Sequence, residues 1–228
     1  IETGTLELIL RKENIVKFVR DIKELFNNQS MQKCIQFTFT SDVNNYDIYF
    51  DQDKIEKIVF NLLSNAFKYT EDGKISVSIS VNNFSKTPLP IDQHDVEKYV
   101  ILKVKDTGKG IEPERLPGIF ERFKSADIHL AISNMQSTGI GLSYIKELIE
   151  FHEGKIFVES KLGHGTVFTI LIPNYLQPAK LQSASRELAG FNLSQSLDAA
   201  LMDYENETGV ENGLPHEEKV NMEKYSIL

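Results

Sequence analysis

The chain has 228 residues, 41% of them hydrophobic and 25% charged, enough to bury one substantial core with short extensions. Twenty-five Lys and Arg stand against 33 Asp and Glu, and the resulting net charge of −8 disfavours a phosphate backbone as a non-specific partner, which argues against nucleic-acid binding. No run of about 18 apolar residues is present to span a bilayer, the opening IETGTLELIL lacks a signal-peptide pattern, and the single cysteine, Cys34, allows no internal disulfide.

In chain order, hydrophobic periodicity predicts a helix near 14–27, strands near 35–40 and 46–50, and a long helix from Asp53, its expected N-cap, to about Tyr69. Strands near 75–81 and 99–105 follow, with the Asn83–Asp95 stretch, which holds Pro88 and Pro90, expected as the loop of a hairpin. A loop-rich region runs from Asp106 to Thr138, then a helix from Ile140 to about Phe151 and a closing strand pair at 155–159 and 166–172. Strands and helices are mixed, with hairpins expected at both ends, so the fold class is α+β and not doubly wound. Composition shifts near Pro173. Residues 174–228 carry −5 of the total charge and read as a solvated linker, with an amphipathic helix expected around 185–204, where Leu188, Leu193, Leu197 and Leu201 recur. Cys34 is expected as a small buried hydrophobe.

Four elements carry candidate chemistry. In the long helix, Asn61, Asn65 and Lys68 fall at i, i+4 and i+7 beside the apolar stripe, where two amide oxygens and an ammonium suit a metal-bound polyphosphate. The same spacing also suits a plain polar helix face. After the next strand pair, Asp106-Thr-Gly108-Lys-Gly110-Ile111 places a carboxylate at a strand end before a sharp turn, able to accept from an exocyclic amine such as adenine N6, although ordinary turns share this composition. Ser137-Thr138-Gly139-Ile-Gly141-Leu142 opens a helix and presents N–H groups to an anion. Gly163-His164-Gly165-Thr166 reads as a tight turn. The five histidines show no metal-ligand spacing, and His152 is expected to pair with its helix C-terminus, with Gly154 as the left-handed cap.

Taken in order, Asn61-Leu-Leu-Ser-Asn65-Ala-Phe-Lys68-Tyr69, Asp106-Thr-Gly108-Lys-Gly110, Ile119-Phe-Glu-Arg-Phe123, Thr138-Gly139-Ile-Gly141-Leu142 and Gly163-His-Gly165-Thr166 resemble the N, F and three glycine boxes of sensor histidine kinases, within the GHKL superfamily. The resemblance covers about residues 1–173. It implies an α/β sandwich, a mixed sheet covered on one face by helices, that binds ATP and Mg2+. It divides the chain into a connector (1–12), a catalytic ATP-binding domain (13–173) and an acidic linker (174–228). By the same resemblance Asp106 accepts the adenine N6 hydrogen bond, Gly108, Gly110 and Ile111 shape the base pocket, and Thr166 supports the adenine side. Asn61 is the magnesium ligand, and Asn65, Lys68 and Tyr69 surround phosphates and ribose. Thr138, Gly139, Gly141 and Leu142 form the phosphate side and hinge of a lid over 121–138, anchored by Phe120 and Phe123, and Arg122 reaches the γ-phosphate. Asn61, Lys68 and Arg122 are thereby the expected catalytic set.

Relatives such as DNA gyrase B and MutL place a water-activating glutamate four residues before the magnesium asparagine; this chain has Lys57 there, so weak intrinsic ATP hydrolysis is expected. The family's phosphoacceptor histidine precedes the N box on a dimerisation helix, and no histidine precedes His94 here. The expected partner is therefore a separate set of dimerisation and phosphoacceptor helices, towards which Thr5-Leu6-Glu7-Leu8 resembles the connector. Glu223–Leu228 resembles the lead-in to a receiver domain of a hybrid kinase, and a flexible tether of about 50 residues reaches roughly 35–40 Å. The resemblance implies a cytoplasmic domain of a membrane-inserted sensor, itself without membrane contact. A nucleotide-independent scaffold and a serine kinase of the anti-sigma type are the alternative readings.

Overall fold

Each helix follows from where its apolar residues fall. In the structure, a computed structural model that describes residues 8–81, 99–121 and 141–174, helix α1 (Ile15–Leu25) buries Ile15, Val16, Val19 and Ile22 on one stripe. Asn14 caps it, accepting the Lys17 N–H at 2.9 Å. The helix expected over 14–27 is broken at Phe26, whose buried ring packs against Phe60 and Phe67, and a short α2 (Asn27–Gln32) follows. Helix α3 (Gln52–Tyr69) buries Ile55, Ile58, Val59, Leu62, Leu63, Ala66 and Phe67. Each of these side chains larger than alanine contributes about 1.5–3 kcal/mol by leaving water.

The cap of α3 is Asp51 rather than Asp53. Asp51 has extended dihedrals and accepts the Lys54 N–H at 3.2 Å, whereas Asp53 lies in the first turn, where a negative charge still suits the helix dipole. Asp51 is buried, pairs with the Lys54 ammonium at 2.5 Å and accepts the Ile9 N–H at 2.8 Å, so one carboxylate ties the incoming chain to the helix start.

A five-stranded mixed sheet supports these helices. Strands β2 (Gln36–Ser41), β4 (Lys74–Ser80), β5 (Tyr99–Asp106), β7 (Gly165–Pro173) and β6 (Lys155–Lys161) lie side by side in that order. β2 runs parallel to β4 and the other pairings are antiparallel. Ile75, Val77 and Ile79 pair with Asp106, Val104 and Leu102, which pair in turn across β7 with the row that holds Phe168 and Ile170. This row faces α3 and α4 (Gly141–Phe151), which adds Ile145, Leu148 and Ile149 to the core. On the other face, Ile101 and Leu171 cluster with Tyr99 and Phe157. The architecture is the expected α+β one, a mixed sheet with helices over one face.

Four expectations need correction or completion. The hairpin expected at the N-terminal end does not form, because β2 pairs with β4 while β3 (Asp47–Phe50) pairs antiparallel with β1 (Arg11–Asn14), a strand whose four polar residues show no alternation. Cys34 is exposed in the turn before β2, at φ +54. The residue in left-handed conformation after α4 is Glu153, at φ +56, and not Gly154. His152 pairs with its helix C-terminus as expected, with Nδ1 2.8 Å from Leu148 O, but it does so as a buried side chain whose pKa burial pushes down. The Asn83–Asp95 loop, the helix around 185–204 and the connector residues Thr5–Glu7 lie outside the described residues.

Candidate functional site

The site grows from the helix-facing end of β5. Alternation along the strand puts Asp106 in the same inward row as Val100, Leu102 and Val104, so a carboxylate occupies a core position and is 6% exposed. Its Oδ1 accepts the Gly108 N–H at 2.9 Å and the Thr166 N–H at 3.1 Å. Burial pushes the Asp106 carboxyl above its ordinary range, and these backbone bonds pull it back.

The turn after Asp106 is wedged between the end of α3 and the β6–β7 hairpin. Lys109 N–H donates to Tyr69 O at 3.1 Å, and Gly163 N–H donates to Lys109 O at 2.8 Å. A Cβ at Gly108 would lie 2.2 Å from Tyr69 O, and one at Gly110, whose φ is +68, would lie 2.2 Å from Lys161 O. Both positions therefore require glycine. Ile111 N–H donates to Ser160 Oγ at 2.9 Å, and that hydroxyl lies 2.9 Å from Thr166 Oγ1, which links the two glycine turns through side chains.

On α3, Asn65 Nδ2 donates to Asn61 Oδ1 at 2.9 Å, as their four-residue spacing allows. The first residue of α4 closes on this pair: a Cβ at Gly141 would lie 2.8 Å from Asn61 Nδ2. Between α3, the Asp106 turn, α4 and β7 lies a cavity of about 230 Å3. Asp106, Thr166 and Asn65 give it polar groups, Ile111, Leu142 and Phe168 give it an apolar wall, and Tyr69, Lys109 and Arg115 also line it. A second recess, lined by Lys68, Glu71, Asp72, Thr107 and Gly108, shares Tyr69 and Lys109 with the first. The Lys68 pKa is lowered by burial and then by the nearby Lys109 ammonium. That of Tyr69 is raised by burial against the opposing effect of Arg115.

Of the expected site residues, Asn65, Tyr69, Asp106, Gly110, Ile111, Leu142 and Thr166 meet around the cavity. Lys68 and Gly108 line the adjoining recess, and Asn61 and Gly141 touch each other beside it. Arg122, Thr138, Gly139 and Phe123 lie outside the described residues, as does all of the expected lid but Glu121. Phe120 packs edge-on against Phe168, with ring centroids 6.5 Å apart. Sequence reasoning missed Ser160, a strand residue with no local signal, and Arg115; for Lys109 the signal was a cation between two glycines that must lie against neighbouring backbone. Among the described residues no three His, Cys, Asp or Glu side chains group as metal ligands.

A helix-covered mixed sheet with a buried carboxylate at the mouth of a glycine turn defines a class of domain, and comparison with known proteins gives it a family. Residues 50–176 match the family described as histidine kinase-, DNA gyrase B- and HSP90-like ATPases, and the chain belongs to that family. It is 32% identical over 200 residues to histidine kinase P4 of Formosa agariphila, across 86% of this chain and 13% of that protein. It is 31% identical over 174 residues to the autoinducer 2 sensor kinase/phosphatase LuxQ of Vibrio vulnificus, across 76% of this chain and 19% of that protein. The chain thus spans less than a fifth of the length of these two relatives. Among solved structures it is similar to the catalytic domain of histidine kinase ThkA, with 26% identity, a TM-score of 0.59 and coverage of 75% of this chain and 99% of that one. It is also similar to full-length ShkA in complex with AMPPNP, at 25% identity and a TM-score of 0.58, over 75% of this chain and 32% of that one.

Proposed function

We propose that this chain is the ATP-binding catalytic domain of a sensor histidine kinase, and that the cavity holds the nucleotide. The observation that carries this reading is Asp106. A buried carboxylate with one oxygen engaged by two backbone N–H groups, beside an apolar wall, is an acceptor suited to the adenine N6 amine. Similarity to ShkA, whose structure contains AMPPNP, supports it.

In this reading Gly108 and Gly110 let the turn come close to the base, Ile111 and Leu142 flank it, and Thr166 supports it from the strand. Tyr69, Asn65 and Lys68 meet ribose and phosphates, and Thr138, Gly139, Gly141 and Arg122 are assigned to the phosphate side. Asn61 fits a magnesium ion: its Oδ1 takes one hydrogen bond and keeps a second lone pair, and a single neutral oxygen suits an ion shared with phosphate oxygens. Bound there, magnesium would neutralise charge on the transferring phosphoryl group. The residues of this chain position and neutralise. The incoming histidine nitrogen forms the bond to the γ-phosphorus, the bond to the β–γ bridging oxygen breaks, and ADP leaves.

The acceptor histidine is proposed to sit on separate dimerisation helices reached through residues 1–12, with 174–228 as the linker to a receiver domain of a hybrid kinase. We place this domain on the cytoplasmic side of a membrane-inserted parent; among the described residues no helix is long and apolar enough to cross a membrane.

Calorimetric titration with a non-hydrolysable ATP analogue, with and without magnesium, tests the assignment. Asp106→Asn keeps an oxygen for the Gly108 and Thr166 N–H groups but turns an amide donor towards another donor, so affinity should fall at least tenfold. Asn61→Ala should remove the dependence on magnesium. A folded wild-type chain that binds no nucleotide at millimolar concentration refutes the reading.

A further inference from the structure

Charge is unevenly distributed around the cavity. Asp106, 6% exposed, and Glu112 bring carboxylates to its lining, and Glu71 and Asp72 to the adjoining recess, whereas Tyr69, 39% exposed, has cations on its ring. The Lys109 ammonium lies 4.7 Å from the Tyr69 ring centroid, and the Lys68 ammonium lies 5.8 Å from the same centroid. Arg115 lines the same cavity and acts electrostatically on the Tyr69 hydroxyl. Lys109 and Tyr69 line both the cavity and the adjoining recess, so the ring is a shared wall with the Lys109 cation beside both spaces.

Backbone geometry fixes Lys109 there. Its N–H is held by Tyr69 O and its O by the Gly163 N–H, and the glycines on either side lie against the ends of α3 and β6. The exposed side chain therefore starts from an immobilised backbone and lies along an aromatic face, where the ring quadrupole attracts its charge. Bringing two ammonium groups near one ring is unfavourable by itself; burial lowers the Lys68 pKa most, and the Lys109 charge lowers it further. An anion between them relieves that repulsion.

We propose that Lys109 is a specificity-determining residue of the nucleotide site, acting with Lys68 across the Tyr69 ring to bind the phosphate chain and so to favour phosphorylated adenosine over the bare nucleoside. This rests on the adenine-nucleotide reading of the cavity. Lys109 makes its contribution to the phosphate-bearing part of the ligand and none to the base, which Asp106 holds at the other end. A lysine suits the task because a flexible point cation can follow phosphate oxygens without imposing a planar geometry.

The test is titration of the wild-type chain, Lys109→Met and Lys109→Arg with AMP-PNP, ADP and adenosine, in low and in physiological salt. Methionine keeps an unbranched stem against Tyr69 and removes the ammonium, its charge together with its N–H donors. Lys109→Met should weaken AMP-PNP and ADP about tenfold, leave adenosine within about twofold, and flatten the salt dependence of AMP-PNP binding; Lys109→Arg should restore most of the loss. By NMR, the Lys68 pKa should rise in Lys109→Met. An equal loss for adenosine and AMP-PNP would assign Lys109 to packing alone and overturn the proposal, as would no loss for either. Binding of all three ligands by the wild type, with Lys109→Met unchanged, removes this proposal and leaves the nucleotide site standing. A wild type that binds none of them removes both.

Discussion

At the scale of single residues, burial gives Asp106 and His152 opposite consequences. Both are ionisable and both sit in core positions, but Asp106 opens onto a cavity and receives two backbone N–H bonds, whereas among the described residues His152 pairs through Nδ1 with Leu148 O and its Nε2 finds no partner. Charging His152 in place is costly; burial lowers its pKa most, with the Leu148 carbonyl and the Asp51 carboxylate opposing and Lys54 adding to the depression. Its folded-state pKa therefore lies below the unfolded value of about 6.5, so the stability it contributes is complete above that pH and is lost as the pH falls below it. Denaturant midpoints should drop between pH 7.5 and 5.5, with a slope of up to about 1.4 kcal/mol per pH unit from this one proton. His152→Gln should flatten that slope even though it lowers stability at neutral pH. A slope unchanged by the substitution would transfer the effect to other groups.

At the scale of elements, the end of α4 shows how a correct boundary can hide an incorrect cap. Gly154 N–H reaches Ile149 O at 2.8 Å and Glu153 N–H reaches Glu150 O at 3.0 Å, the bond pattern of a Schellman motif with Glu153 in the left-handed position. That conformation costs a side-chain-bearing residue about 1–2 kcal/mol, while glycine loses about 0.5–1 kcal/mol more backbone entropy on folding. Glu153→Gly should therefore stabilise the protein by about 0.5–1 kcal/mol, seen as a higher denaturant midpoint at unchanged slope; a lower midpoint would mean that the glutamate side chain contributes more than its backbone costs. The same contrast runs through the fold. Helices α3 and α4 and strands β4, β5 and β7 were legible because their faces are buried. β1 was not, since Arg11, Lys12, Glu13 and Asn14 carry no alternation, and the partner of β2 was not, since chain proximity suggested β3 while packing selected β4. In the site, the glycines and Asp106 were legible from turn chemistry. Ser160, which joins the two glycine turns, was invisible because only the register Ser160↔Thr166 brings it there.

At the scale of the whole molecule, the helix whose Asn61 is proposed to hold magnesium carries Lys57, not a carboxylate, four residues before it. A lysine that remains charged cannot take a proton from an attacking water. On the proposed reading this domain binds and positions the nucleotide, and the nucleophile is a histidine of separate helices. Two outcomes follow for the pure chain with magnesium and γ-labelled ATP. Steady-state release of phosphate should fall far below that of DNA gyrase B assayed alongside it, and no acid-labile label should accumulate on the chain itself. Supplying phosphoacceptor helices from a related sensor kinase in trans should move label onto their histidine without raising phosphate release, because the bottleneck is the missing nucleophile and not nucleotide binding. Fast hydrolysis by the chain alone would show that Lys57 is no barrier to water activation. Label on its own His94, His129, His152, His164 or His216 would show that the nucleophile was present all along.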